Sequence, residues 1–256
     1  MTAGNTCRFG CFLLTVVALL LLALSAATQS AAAITTEEFK ARVQEAAKEF
    51  KDFKATGVVT QKNKEALESV GDNYTQLYEF EQAAISLKTP DKLRMEGKLG
   101  MVRFSYIING SKKILRASRV GINKVSDYSG DPAKLQDALD VGLVTPSMWR
   151  HRSIEVLEDE EAEKAGEIKL LLKWAKGNMI YYAWVDAENL WLKRFEKHDS
   201  KGDLLLRVVY SDPKKVEGVI WVPLKTEVYG PDGEKVGTSV YKDIQANTGL
   251  QDSLFE

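Results

Sequence analysis

The chain has 256 residues, 28% of them charged, with 35 lysines and arginines against 36 aspartates and glutamates. A net charge of −1 offers no basic stripe for nucleic acid and no polybasic run for an anionic membrane surface, so electrostatics points to no partner. Two cysteines and two histidines leave almost nothing for thiolate catalysis or metal ligation, so no catalytic residue, metal or cofactor is expected.

Arg8 is the one charge in the first 36 residues. Residues 11–24 (CFLLTVVALLLLAL) are apolar apart from Thr15, and are shorter than the roughly 20 residues that span a bilayer. Ser25-Ala26-Ala27 and Ala31-Ala32-Ala33 both suit a small-residue cleavage site. The reading is a removable export signal over 1–33, cut after Ala33, with an uncleaved anchor as the alternative. Cys11 stands at the start of the apolar run, where a lipidated cysteine would follow its end. Cys7 and Cys11 both leave with the signal, so the exported chain forms no disulfide. Taking Arg8 from the 35 basic residues leaves 34 against 36 acidic ones, a charge of −2.

Residues 34–256 read as one domain. Thr35 followed three residues later by Glu38 is a capping-box pattern, so a helix starts at once. Phe39, Val43, Ala46, Ala47, Phe50 and Phe53 then make one apolar stripe at helical spacing. The helix packs on a sheet or closes one mouth of a curved one.

Strands follow over 55–62, 74–87, 93–99, 102–108 and 112–117. In the fourth, Val102, Phe104, Tyr106 and Ile108 alternate with other residues. Asn109-Gly110 signals a tight type I′ hairpin turn. The stretch of about 131–152 differs. Asp131-Pro132 and Thr145-Pro146 each pair a cap residue with proline at the first helical position, predicting a short helical insertion. Long inserts in β proteins tend to carry function or cover an opening. A meander then runs over 153–158, 167–176, 179–186, 190–197, 204–210, 219–229 and 235–244, with an acidic loop over 158–163.

The fold class expected is mainly β: an unclosed antiparallel half-barrel of about 10 or 11 strands, with the first helix and the insertion covering it. A sheet that large curls rather than staying flat. A curled sheet under so few helices either fills its hollow with side chains or encloses an apolar cavity. The candidate lining is Phe39, Val43, Phe50, Phe104, Tyr106, Trp149, Leu172, Trp174, Tyr182, Trp184 and Leu206.

The C-terminal half carries a resemblance. The residues are Tyr182-Ala183-Trp184-Val185-Asp186, Leu190-Trp191-Leu192-Lys193-Arg194-Phe195, the turn Asp199-Ser200-Lys201-Gly202-Asp203, Trp221-Val222-Pro223, and the ending from Asn247-Thr248-Gly249 to Leu254-Phe255. In that order, behind a signal and a helix, the chain resembles the LolA/LolB/RseB-like superfamily of bacterial envelope proteins over nearly its whole exported length. The resemblance implies a half-barrel with a helical lid and a hydrophobic cavity for lipoprotein acyl chains or another lipid. It further implies a soluble periplasmic monomer that works with an inner- or outer-membrane lipoprotein-handling partner. No functional residue of the superfamily can be matched to a position here. The resemblance also allows an envelope-stress sensor or protein-interaction module.

A third reading, a lipid esterase, would need His151 or His198. His198-Asp199-Ser200 is a poor triad, because consecutive strand residues point to opposite faces. The run Glu158, Asp159, Glu160, Glu161 and Glu163 lacks the spacing of a calcium loop and reads as solvated. The glycosylation sequons at Asn73 and Asn109 would matter only in a eukaryotic secretory pathway.

Overall fold

The computed structural model describes residues 34–70 and 78–256. The export signal expected over 1–33, the first residues of the strand expected over 74–87 and the Asn73 sequon lie outside them.

Helix α1 (Thr36–Ala46) begins as its cap predicts. The Glu38 N–H donates to the Thr35 hydroxyl at 3.2 Å, and the Thr35 N–H donates to the Glu38 carboxylate at 2.8 Å. Phe39 and Val43 are fully buried beneath it. The helix stops at Ala46, so the expected stripe is cut short. Phe50 lies in the connection that follows, and Phe53 belongs to the first strand.

Thirteen strands follow among the described residues. The first six are β1 (Asp52–Lys62), β2 (Gln82–Lys88), β3 (Lys92–Leu99), β4 (Val102–Asn109), β5 (Lys112–Ala117) and β6 (Ile122–Asp127). The rest are β7 (Arg152–Leu157), β8 (Glu167–Trp174), β9 (Ile180–Asp186), β10 (Leu192–His198), β11 (Leu204–Val216), β12 (Ile220–Tyr229) and β13 (Lys235–Ala246). Two short helices, α2 (Lys64–Leu67) and α3 (Glu160–Lys164), interrupt them. α3 replaces the expected acidic loop, because the Asp159 carboxylate accepts the N–H groups of Glu161 and Ala162 at 3.1 and 2.9 Å. At the β4–β5 turn only Gly110 takes a positive φ (60°), where the expected type I′ turn needs two such residues.

The strands form one antiparallel sheet in the order β6-β5-β4-β3-β2-β1-β13-β12-β11-β10-β9-β8-β7. It is open, a half-barrel. The first and last strands pair at its centre, from Phe53 against Ala246 to Lys62 against Gly237. Each half is therefore a plain meander leaving that seam. The two outermost strands, β6 and β7, are consecutive in the chain, so residues 128–151 must run from one edge of the sheet to the other. They do so across the concave face, and their apolar side chains join both halves.

One core cluster gathers Phe39 and Val43 with Leu170, Leu172, Ala183, Val185, Leu206 and Val208. Leu139, Val144 and Met148 of the crossing segment belong to it. The other gathers Phe53, Ile85, Leu93, Ile108 and Val222, with Ala138, Val141 and Leu143 from the same segment. Truncating a fully buried side chain such as Met148 costs about 2–5 kcal/mol.

The insertion holds three separate 3₁₀ turns, Pro132–Lys134, Ala138–Val141 and Pro146–Trp149, instead of a helix. Asp137 caps the middle one, its carboxylate accepting the Leu139 N–H at 2.8 Å, whereas Asp131 makes no such cap.

The C-terminal segment crosses the convex face. Phe255 is fully buried there against Ile107 and Ile114. The Asp52 carboxylate anchors the segment by accepting the N–H groups of Thr248 (2.7 Å), Gly249 (2.9 Å) and Leu250 (3.2 Å).

Candidate functional site

The concave face is the site the fold builds, and strand parity decides which side chains reach it. On β8, Ile168, Leu170 and Leu172 are buried in the core, so Trp174 shares their face. Leu170 pairs with Ala183, and Ala183 with Phe195. The inward residues of β9 are therefore Tyr181, Ala183 and Val185. On β4, Ile108 lies in the core and Ile107 under Phe255, which places Phe104 and Tyr106 inward with Ile108.

Nine of the sequence candidates stand on this side. Phe39, Val43, Phe50, Leu172 and Leu206 are buried, and Phe104, Tyr106, Trp149 and Trp174 are half-buried. Tyr182 and Trp184 do not join them. They occupy the alternate parity of β9 and face outward. The Arg194 guanidinium lies 3.7 Å from the Trp184 ring centroid, and Lys169 lies 5.3 Å from Trp184 and 5.5 Å from Tyr182. Those cations and their alkyl stems cover the rings, so Trp184 is buried on the outer surface rather than in the hollow. Trp174 is capped by the Arg152 guanidinium at 4.6 Å.

The hollow itself sits at the centre of the sheet, over the β1–β13 seam. A cavity of about 120 Å³ remains between the sheet and the crossing segment. Gly57, Ile85, Met95, Val208, Thr226 and Ser239 are among its walls, and Asp140 and Val141 come from the segment. None of the sequence candidates lines it. The signal was small or short residues at inward positions of central strands, and reading it requires the register between β1, β12 and β13.

One charge enters this apolar space. Asp140 lines the cavity and keeps part of its own surface exposed. Loss of solvent pushes its carboxyl up to about 7 from the usual 3.8, with Lys113 pulling the other way. Its carboxylate accepts the Asp137 N–H at 2.8 Å. Nearby, the Tyr241 hydroxyl donates to the Val141 carbonyl at 3.0 Å, while the buried Tyr106 hydroxyl has no hydrogen-bond partner among the described residues.

The histidine chemistry is elsewhere. His198 Nε2 lies 3.0 Å from Glu196 and Nδ1 lies 2.9 Å from the Gly202 carbonyl. Asp199 accepts the N–H groups of Lys201 and Asp203 at 2.8 and 2.9 Å, which is turn chemistry. Among the described residues no helix is long and apolar enough to cross a membrane.

An open antiparallel sheet of this size, with a helix and an edge-to-edge segment filling its concave face, is the LolA-like fold. Solved structures share it, three of them as follows. A putative outer membrane lipoprotein-sorting protein domain from Vibrio parahaemolyticus superposes with a TM-score of 0.60 at 12% identity, covering 86% of this chain and 95% of that one. The LolA superfamily protein of Nitrosomonas europaea gives 0.57 at 13% identity over 88% and 98%. A DUF1329 family protein from Desulfovibrio piger gives 0.53 at 14% over 86% and 95%. No protein-family model matches the chain, and no curated protein matches it.

Proposed function

We propose that this protein is an exported, periplasmic carrier that binds a lipid acyl chain, such as that of a lipoprotein, on the concave face of its sheet. The central cavity carries the reading: it is walled by Ile85, Met95, Val208 and Val228 and lies under a segment that belongs to no strand. The likeness to a lipoprotein-sorting domain supports it. At about 120 Å³ the cavity is close to the size of one that admits benzene, too small for a long chain. The segment from Asp137 to Trp149 therefore acts as the displaceable element. Its Leu139, Val141, Leu143 and Met148 fill the hollow in the empty protein, and the ligand takes their place. Each methylene transferred from water gains about 0.8 kcal/mol, which offsets exposing them.

Two measurements test this. Native mass spectrometry of protein purified from a lipid-containing host should show an added lipid mass. Hydrogen exchange over residues 133–150 should be faster than over β9 and β11, and should change when a fatty acid is added. If the segment is as protected as those strands with or without lipid, and no lipid mass is found, the segment is a fixed plug and the carrier reading fails.

A further inference from the structure

We propose that the sheet edge formed by the β3–β4 and β5–β6 hairpin tips and by β6 docks on an anionic lipid bilayer. The near-neutral net charge hides a local asymmetry. Between Glu96 and Asp127 the chain carries seven lysines and arginines and no acidic residue. Among the described residues six large apolar side chains are well exposed, and five of them fall in this stretch: Met101 (78%), Leu115, Val120 (54%), Ile122 and Val125 (56%). Elsewhere the same protein buries its apolar groups, so the clustering marks an interaction site.

The geometry joins these residues. Alternate turns of a meander lie at the same end of the sheet, which brings Gly100-Met101 beside residues 118–121. Arg119 clasps the two tips by donating to the Met101 carbonyl at 3.0 Å. That acceptor is neutral, so the arginine's charge stays uncompensated. Lys98, Arg119 and Lys124 form no ion pair among the described residues, whereas Arg103 is held by Glu96 at 2.8 Å.

Parity selects the occupant. Leu115 pairs with Tyr106, and Ile122 with Ala117, which puts both on the concave side. Val125 pairs with Ile114 and lies on the convex side. Met101 and Val120 project from the turns. The exposed apolar groups thus surround the edge on both faces and at its end. A protein partner with one flat contact surface covers one face. A bilayer interface receives a whole edge, and its anionic headgroups match the interleaved cations.

The test is co-sedimentation of the soluble, exported protein with vesicles. Binding to phosphatidylglycerol–phosphatidylethanolamine vesicles should exceed binding to phosphatidylcholine vesicles and should fall as salt is raised. Each cation removed among Lys98→Gln, Arg119→Gln and Lys124→Gln should weaken binding about fivefold. Met101→Ser with Val120→Ser should also release the protein, with the thermal midpoint unchanged because these side chains are exposed. Equal binding to both vesicle types, no binding to either, or wild-type binding by both sets of variants would overturn the proposal. So would loss of a co-purifying protein in these variants with no effect on vesicles, which would assign the edge to a protein partner.

Discussion

Arg152, on the inward face of β7, donates to the carboxylate of Asp137, the residue that caps the middle turn of the crossing segment. One face of its guanidinium rests on Trp174. The pair therefore ties the segment to the edge strand it is about to enter. Burial lowers the Arg152 group to about 10, well above neutrality, so it stays charged.

Removing one partner of a buried pair leaves the other uncompensated, typically at about 3–5 kcal/mol. Arg152→Ala should approach that loss in urea unfolding, and hydrogen exchange over 137–149 should rise more than over β9. Arg152→Met keeps the stem on Trp174 and should cost less. Equal losses in both variants would show that the stem on Trp174 contributes nothing, and parent-like stability in Arg152→Met would show that the charge is not what holds the segment.

Asp52 performs the same duty for the C-terminal segment. Besides three N–H groups, it accepts the Thr248 hydroxyl at 3.0 Å. Asp52→Ala orphans all four donors and should destabilise by about 2–4 kcal/mol, each buried unmet group costing roughly 1–3. Limited proteolysis should then clip residues 247–256, and Phe255 should leave Ile107 and Ile114. Asp52→Asn retains an acceptor and should be milder. If the segment stays protease-resistant in the alanine variant, Phe255 and the contacts that Lys88 and Arg94 make to Leu250, Asp252 and Leu254 suffice to anchor it.

Much of this was legible in the sequence, and the failures share a cause. The α1 cap at Thr35 and Glu38 is local, so it was readable. The alternation in β4 and β8 was readable because one parity is apolar and the other is not. β9 defeats that rule. Tyr181, Ala183 and Val185 alternate with Tyr182 and Trp184, so both parities look apolar, and cations on β8 and β10 decide which side is inside. β6 is nearly all exposed and offers no alternation to read. The cavity needed the register among strands far apart in sequence, which no local pattern supplies.

Asp140 gives the molecule a pH dependence with a fixed sign. Its folded-state carboxyl titrates near 7 and its unfolded one near 3.8. The folded state thus holds the proton more tightly, and ionisation works against folding. That stability is complete below about pH 4 and is lost as pH rises through about 7. Asp140→Asn mimics the protonated form and keeps the acceptor for the Asp137 N–H. It should be more stable than the parent at pH 8 by about 1 kcal/mol, after allowing for screening by solvent in the cavity. The difference should vanish by pH 4. Thermal melts of both proteins across that range check it; a constant difference would mean that the carboxyl does not titrate there.

Thr226 tests the cavity directly. It is half-buried, faces the hollow from β12, and pairs with Tyr210 and Ser239. Thr226→Leu places apolar volume in existing space, so it should leave the thermal midpoint unchanged or raise it slightly, since unfilled core volume costs about 24 cal/mol per Å³. If the acyl chain enters here, the same change should lower the affinity for a fluorescent fatty acid about tenfold, the effect of losing roughly 1.4 kcal/mol of contact. Val209→Leu, on the outward face of the neighbouring strand, should leave that affinity unaltered. An affinity unchanged in Thr226→Leu, with stability retained, would move the acyl site away from the β1–β13 seam.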